Sequence, residues 1–255
     1  MDFFIKGWQF WPAEAGADAT TADQTSAEQL WPALPQVPAM QRRRLSPLTK
    51  IAFEVAFSQP IQAGTPLVFA SRHGDLHKTL ELLTDVVQQQ ALSPTQFALS
   101  VHNAIVGQYS IFQQHQAAHS SVAGGDSSLH YALLEAVGLM LDPEVDEVLV
   151  VYADQPVPEL YQCFEQQPAQ AQAAALLLSK HEGLAVRLQY QGGAPHACGQ
   201  QYGAQAAAVY PNPLQQHQDE VQALKSFLYS EQSGSVIRTQ SASWQWQRRP
   251  YVATA

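Results

Sequence analysis

The sequence predicts an α/β layered fold, and three observations carry that prediction. Strand-like segments alternate with segments of helical periodicity along most of the chain. Two strand-like runs, Leu67–Ala70 and Glu147–Tyr152, are almost wholly apolar, as buried parallel strands are. The chain closes on Ser235–Thr239 and Trp244-Gln245-Trp246, which read as a hairpin and so as an antiparallel finish.

In order, Phe3–Phe10 reads as a first strand crowded with aromatics, and residues 11–38, rich in Ala, Thr, Pro and Gln, as a long loop or insertion. Ser46-Pro47 starts a helix with a side-chain cap and a first-turn proline, and Leu48, Ile51, Ala52, Val55 and Ala56 fall on one face. Gly74-Asp75 ends the Leu67–Ala70 strand and opens a helix with Leu76, Leu80, Leu83 and Val87 at helical spacing; Ser93-Pro94 opens another. A short strand then feeds a sharp turn, Gly124-Gly125-Asp126-Ser127-Ser128, and a mostly apolar helix bearing Leu129, Ala132, Leu133, Ala136, Val137 and Met140. After Glu147–Tyr152, the Ala- and Leu-rich segment Ala169–Ser179 reads as a helix by intrinsic propensity. Ala185–Tyr190 alternates as a half-exposed strand, 191–208 reads as a loop and Leu214–Tyr229 as a helix. Ser235–Thr239 and Trp244–Trp246 form the closing hairpin. Length and patterning fit a single domain over residues 1–255.

Composition excludes several classes. A formal net charge of −9 argues against nucleic acid, which needs a basic face. No apolar run approaches a membrane span, and the N-terminus lacks the layout of a secretory signal, so the cytoplasm is the default compartment. Cys163 and Cys198 make neither a disulfide framework nor a zinc cluster. His73 and His77 stand at i, i+4, but no third metal ligand accompanies them, and nothing calls for a cofactor.

The turn at 124–128 is the candidate site, because a strand–turn–helix elbow presents a nucleophile at a helix N-terminus. Glycine occupies the position where a nucleophile belongs. Ser127 or Ser128, with His73, His102, His119 or His130 as base, would make an acyl hydrolase or transferase, but serines at a helix start more often cap it.

Several stretches together resemble the N-terminal half of β-ketoacyl synthases, the condensing enzymes of the thiolase fold. Phe69-Ala70-Ser71-Arg72-His73-Gly74 resembles their first core strand and its turn. Ser100-Val101-x-Asn103-x-x-x-Gly107-x-x-Ser110-Ile111 resembles the Asn-x-x-x-Gly segment before the nucleophile strand, and Asp146–Val150 the strand after the nucleophile helix. The likeness covers roughly residues 42–155. It implies a thiolase-like fold with a shortened antiparallel C-terminal part.

It also implies an inactive subunit. Synthases carry Ala-Cys-Ser/Thr-Ser at the elbow, and here Gly125 falls at the cysteine. The family's His-Gly-Thr and Asn-x-Phe-Gly-Phe-Gly motifs do not occur. A synthase half-relative of this kind resembles the chain-length factor of aryl-polyene pathways, which forms a heterodimer with an active β-ketoacyl-carrier-protein synthase and lines its acyl tunnel. By position, Asn103, Gly107, Gln108, Tyr109, Ile111, Phe112 and Gln113 are tunnel or interface candidates; Tyr109 and Phe112 could equally be core aromatics. Tyr109, Ile111, Phe112 and the strand before Gly124 are expected to form an apolar patch. Malonyl decarboxylation without a nucleophile is a variant within the family, usually with Gln at the cysteine position. An acidic carrier would find only Arg42–Arg44 and Arg248-Arg249 here, so it is expected to dock on the synthase.

Overall fold

A computed structural model describes residues 1–12, 31–164, 170–192, 219–239 and 242–250. Cys198 and most of the 11–38 and 191–208 segments lie outside them, as does the start of the expected 214–229 helix. In order the elements are β1 (Asp2–Trp11), α1 (Ala39–Arg42), α2 (Pro47–Phe57), β2 (Leu67–Ala70), α3 (Leu76–Val87), α4 (Pro94–Ser100), α5 (Ala104–Gln113) and β3 (His119–Val122). A 3-10 turn at Gly125–Ser127 leads into α6 (Ser128–Leu139), then β4 (Glu147–Asp154) and a second 3-10 segment at Glu159–Phe164. β5 (Gln172–Ser179), β6 (Leu184–Gly192), α7 (Glu220–Tyr229), β7 (Gly234–Arg238) and β8 (Ala242–Arg248) complete the fold.

The helix starts follow the expected chemistry. Ser46 Oγ accepts from Thr49 N at 3.2 Å, Asp75 Oδ1 from Lys78 N at 3.3 Å and Ser93 Oγ from Gln96 N at 3.3 Å.

Among the described residues, eight strands form one mixed sheet in the order β3-β2-β4-β5-β1-β6-β8-β7. β2 runs parallel to β3 and to β4, and the remaining pairings are antiparallel. Side chains alternate between two cores. Phe69, Leu149, Val151, Ala175 and Leu177 face α2 and α5; Val68, Val150, Leu176, Leu178, Trp244 and Trp246 face α6 and α7. The sheet is thus layered between helices along its β2–β5 half, as in a thiolase-like α/β fold.

One element differs from expectation. The segment expected as a helix over 169–179 is β5, buried at all eight positions and hydrogen-bonded on both sides, to β1 and β4. Helix propensity differs between residues by only about 0.7 kcal/mol at most, apart from Gly and Pro. A central strand that satisfies both backbone edges and buries both faces outweighs it, and Ala173–Ala175 let the helical layers approach closely. The uninterrupted apolar run Ala173–Leu178 has the length of a buried strand.

α3 also departs from expectation. Its apolar stripe lacks a core to face: none of its residues is buried, and Leu83, Val86 and Val87 are 49%, 54% and 82% exposed. α4 likewise has no buried residue.

Candidate functional site

β3 delivers the chain to the elbow, where Gly125 takes φ +60, a left-handed conformation suited to glycine. A Cβ at Gly125 would meet nothing within 4 Å, whereas one at Gly124 would lie 2.4 Å from Tyr131 Cδ2. The two residues therefore differ: Gly124 is fixed by a neighbour, Gly125 by its backbone alone.

Both serines are sealed. Ser128 Oγ accepts from Gly124 N at 3.0 Å and donates to the Gly125 carbonyl at 2.6 Å, tying the turn together. Ser127 Oγ pairs with Thr239 Oγ1 at 2.6 Å and accepts from Trp244 Nε1 at 3.2 Å. Both residues are 0% exposed. None of these hydroxyl bonds involves a histidine, so the elbow holds no nucleophile–base pair built on Ser127 or Ser128.

His130, also 0% exposed, is committed elsewhere. Its Nδ1 lies 2.6 Å from Glu220 Oε2, and its Nε2 lies 3.0 Å from Trp246 Nε1. Indole N–H only donates, so Nε2 accepts and the ring proton sits on Nδ1, donated to Glu220. The imidazole stacks on Trp244 at 4.9 Å and 22°. Glu220 also accepts from Leu129 N at 2.8 Å and His130 N at 3.4 Å, capping α6 from α7. Burial pushes the Glu220 carboxyl up, while His130 and these two backbone donors pull it back. Sequence reasoning missed Glu220, although its spacing to Leu224 places it on the apolar face of α7.

A second buried network sits at the C-terminal ends of β2 and β4. Asp154 accepts from Ser71 Oγ at 2.7 Å, from Arg72 N at 3.0 Å and from Tyr152 OH at 2.5 Å. Ser71 Oγ in turn accepts from Gly74 N at 2.9 Å, and His102 Nε2 lies 2.8 Å from the Ser71 carbonyl. Burial raises the Asp154 carboxyl against these donors. The turn read from Ser71 to Gly74 is thus pinned from β4. His73 and His119 are exposed, and His77 Nε2 lies 2.9 Å from the Pro156 carbonyl. Among the described residues no group of three or more His, Cys, Asp or Glu could hold a metal ion.

α5 separates the tunnel and interface candidates. Asn103, Gly107 and Ile111 recur at i, i+4 and i+8 along its outer side: Asn103 is exposed, a Cβ on Gly107 would meet nothing within 4 Å, and Ile111 is 77% exposed. Gln108 is half-buried and reaches back to the Ala104 carbonyl, and Gln113 is exposed. Tyr109 is 3% exposed, which removes it from the expected surface patch. It stacks on Phe57 at 5.5 Å, and burial pushes its phenol up to about 12. Phe112 is half-buried, edge-on to Phe53 at 5.6 Å. Beside α5, β3 forms the sheet edge: among the described residues it pairs with β2 alone.

The basic residues are largely occupied. Arg42 donates to the Leu34 carbonyl, Arg248 to carbonyls at the end of α7, and Arg249 to Asp2. Arg43 and Arg44 are exposed.

Residues 8–247 match the β-ketoacyl synthase N-terminal domain family. The chain belongs to that family. Its structure is similar to that of a chain of the ketosynthase (ApeO) in complex with its chain length factor (ApeC) from Xenorhabdus doucetiae, at 25% identity and TM-score 0.76, covering 97% of this chain and 100% of the other. The ishigamide ketosynthase/chain length factor shares the fold at 16% identity and TM-score 0.50, over 58% of this chain and 49% of that one. No curated protein matches in sequence. Within this β-ketoacyl synthase-like chain, no helix among the described residues is long and apolar enough to cross a membrane.

Proposed function

We propose that this chain is a non-catalytic chain-length factor that pairs with an active β-ketoacyl-carrier-protein synthase and shapes its acyl tunnel. The observation that carries this reading is the elbow. By the family resemblance a glycine, Gly125 or its neighbour Gly124, falls where the family has its cysteine, and Ser127 and Ser128 are committed to other hydrogen bonds. Three features support a partner. Among the described residues β3 is an edge strand, Ile111 stands exposed beside it on α5, and α3 and α4 carry apolar residues left uncovered. Exposed apolar surface of this kind marks protein interfaces, and similarity to a chain of a ketosynthase–chain length factor complex supports a ketosynthase as the partner. With most of the candidate arginines engaged, the acidic carrier is left to the synthase.

The test is co-expression with a candidate synthase, tagging this chain alone, followed by capture and mass determination. A one-to-one complex is expected. Ile111→Asp should weaken it at least ~10-fold, because burying an isoleucine contributes roughly 1.5–3 kcal/mol and an unpaired carboxylate opposes association. The isolated chain's melting temperature should not change, since Ile111 is 77% exposed. A chain that stays soluble and captures no synthase would sink the reading.

Within that complex, Phe112→Ala is expected to lengthen the product by at least one two-carbon unit, read by mass spectrometry of the released acyl chains. A tunnel end set by side-chain volume gives way when that volume is removed. Unchanged product length would place the end of the tunnel elsewhere.

A further inference from the structure

The elbow raises a question of charge beyond the missing nucleophile. The first turn of a helix directs N–H groups outward, and its dipole favours an anion there. In α6 the first three amides are already engaged: Ser128 N–H with the Gly125 carbonyl, Leu129 and His130 N–H with Glu220.

We propose that Glu220 is a built-in anion that fills the α6 N-terminus, closing the elbow to the oxyanion of an acyl thioester and to a thiolate alike. The inactivity of the site is then written twice, once in Gly125 and once in a carboxylate delivered from α7. Restoring a thiol would not restore its activation. The proposal rests on the chain-length-factor reading only for the identity of the excluded ligand.

Three donors converge on the two oxygens of Glu220, the pattern of an ionised carboxylate. An observation independent of the helix end fixes it in place. Its third donor is the Nδ1–H of His130, a fully buried ring held between Trp244, on which it stacks, and the indole N–H of Trp246. The carboxylate is clamped by β8 through His130 and cannot swing aside as a mobile side chain would. Among the described residues, the other titratable groups around the elbow are Asp219 at the start of α7, Asp126 in the turn, Tyr131 and Glu135 on α6, Tyr152 on β4 and Tyr190 on β6. The two aspartates add to the negative side of the balance. A thiolate at this position therefore meets repulsion where the fold would otherwise offer a bare helix N-terminus.

The test uses the chain alone, so its outcome is separate from whether a synthase binds. In a background with Cys163→Ser and Cys198→Ser, Gly125→Cys adds a Cβ where there is open space. The pH dependence of iodoacetamide alkylation reports the thiol pKa. With Glu220 present it is expected at or above the ordinary value of ~8.5, and Glu220→Gln should lower it by about half a unit, raising the alkylation rate at neutral pH ~3-fold. A thiol well below ~8.5 with Glu220 in place, or no shift on Glu220→Gln, overturns the proposal. Because Gly125 has φ +60 and the variants must fold, a measurement on the unsubstituted chain stands beside them. Excess inorganic phosphate is expected to leave the Leu129 and His130 amide resonances unmoved. Saturable shifts of those amides would show an open anion site and overturn it.

Discussion

Glu220→Ala is expected to destabilise the fold by roughly 3–5 kcal/mol, the range for removing one partner of a buried charged pair. The substitution strands three donors at once: Leu129 N–H, His130 N–H and His130 Nδ1–H. Each buried donor without a partner costs about 1–3 kcal/mol, and the three do not add independently because they share one acceptor group. Urea unfolding of the isolated chain measures the loss. Trp246→Phe supplies the second arm of a double-mutant cycle, because it removes the indole N–H on His130 Nε2, and the volume lost with the pyrrole ring cancels in the cycle. The two effects should couple by about 1 kcal/mol, since freeing Nε2 lets the imidazole change tautomer. A loss below ~1 kcal/mol for Glu220→Ala would mean that water takes over the cap.

Asp154→Ala is the second large effect, about 3 kcal/mol. Asp154 gathers Ser71, Arg72 and Tyr152, and through Ser71 Oγ it also fixes Gly74 N. Losing the carboxylate leaves the Tyr152 and Ser71 hydroxyls and the Arg72 N–H unsatisfied at a site where Asp154 is 3% exposed and Ser71 0%. Asp154→Asn should cost only ~1 kcal/mol, because its carbonyl still accepts from Ser71 and Arg72 while its amide can donate to the Tyr152 oxygen. The readouts are thermal unfolding and hydrogen exchange of the amides at 72 and 74. Faster exchange confined to that turn in Asp154→Ala identifies the carboxylate as its anchor. Equal losses in both variants would assign the effect to packing instead.

The parts of this fold legible in the sequence are those fixed by neighbours along the chain. The caps at Ser46, Asp75 and Ser93, the apolar face of α2 and the glycine elbow depend on residues within a turn of one another, and each formed as read. β5 was illegible by propensity because its conformation is decided by β1 and β4, which come from distant parts of the chain. Tyr109 shows the same limit within one helix: position along α5 could not say whether it turned to a partner or to Phe57. The Glu220 cap joins residues ninety positions apart. Only its spacing on α7 hinted that it was buried. Resemblance drew attention to the turn at 124–128, but its electrostatics required the tertiary structure.

The free edge of β3 has a consequence for how the chain must be supplied. A strand left unpaired on one side, as β3 is among the described residues, is a template for any other strand, and its His-Ser-Ser-Val sequence has none of the lysines or prolines that guard natural edges. Pairing between two orphan copies grows with the square of their concentration, whereas capture by a partner grows with the product of the two. Under the proposed pairing, a second polypeptide that covers this edge should raise the yield of soluble chain.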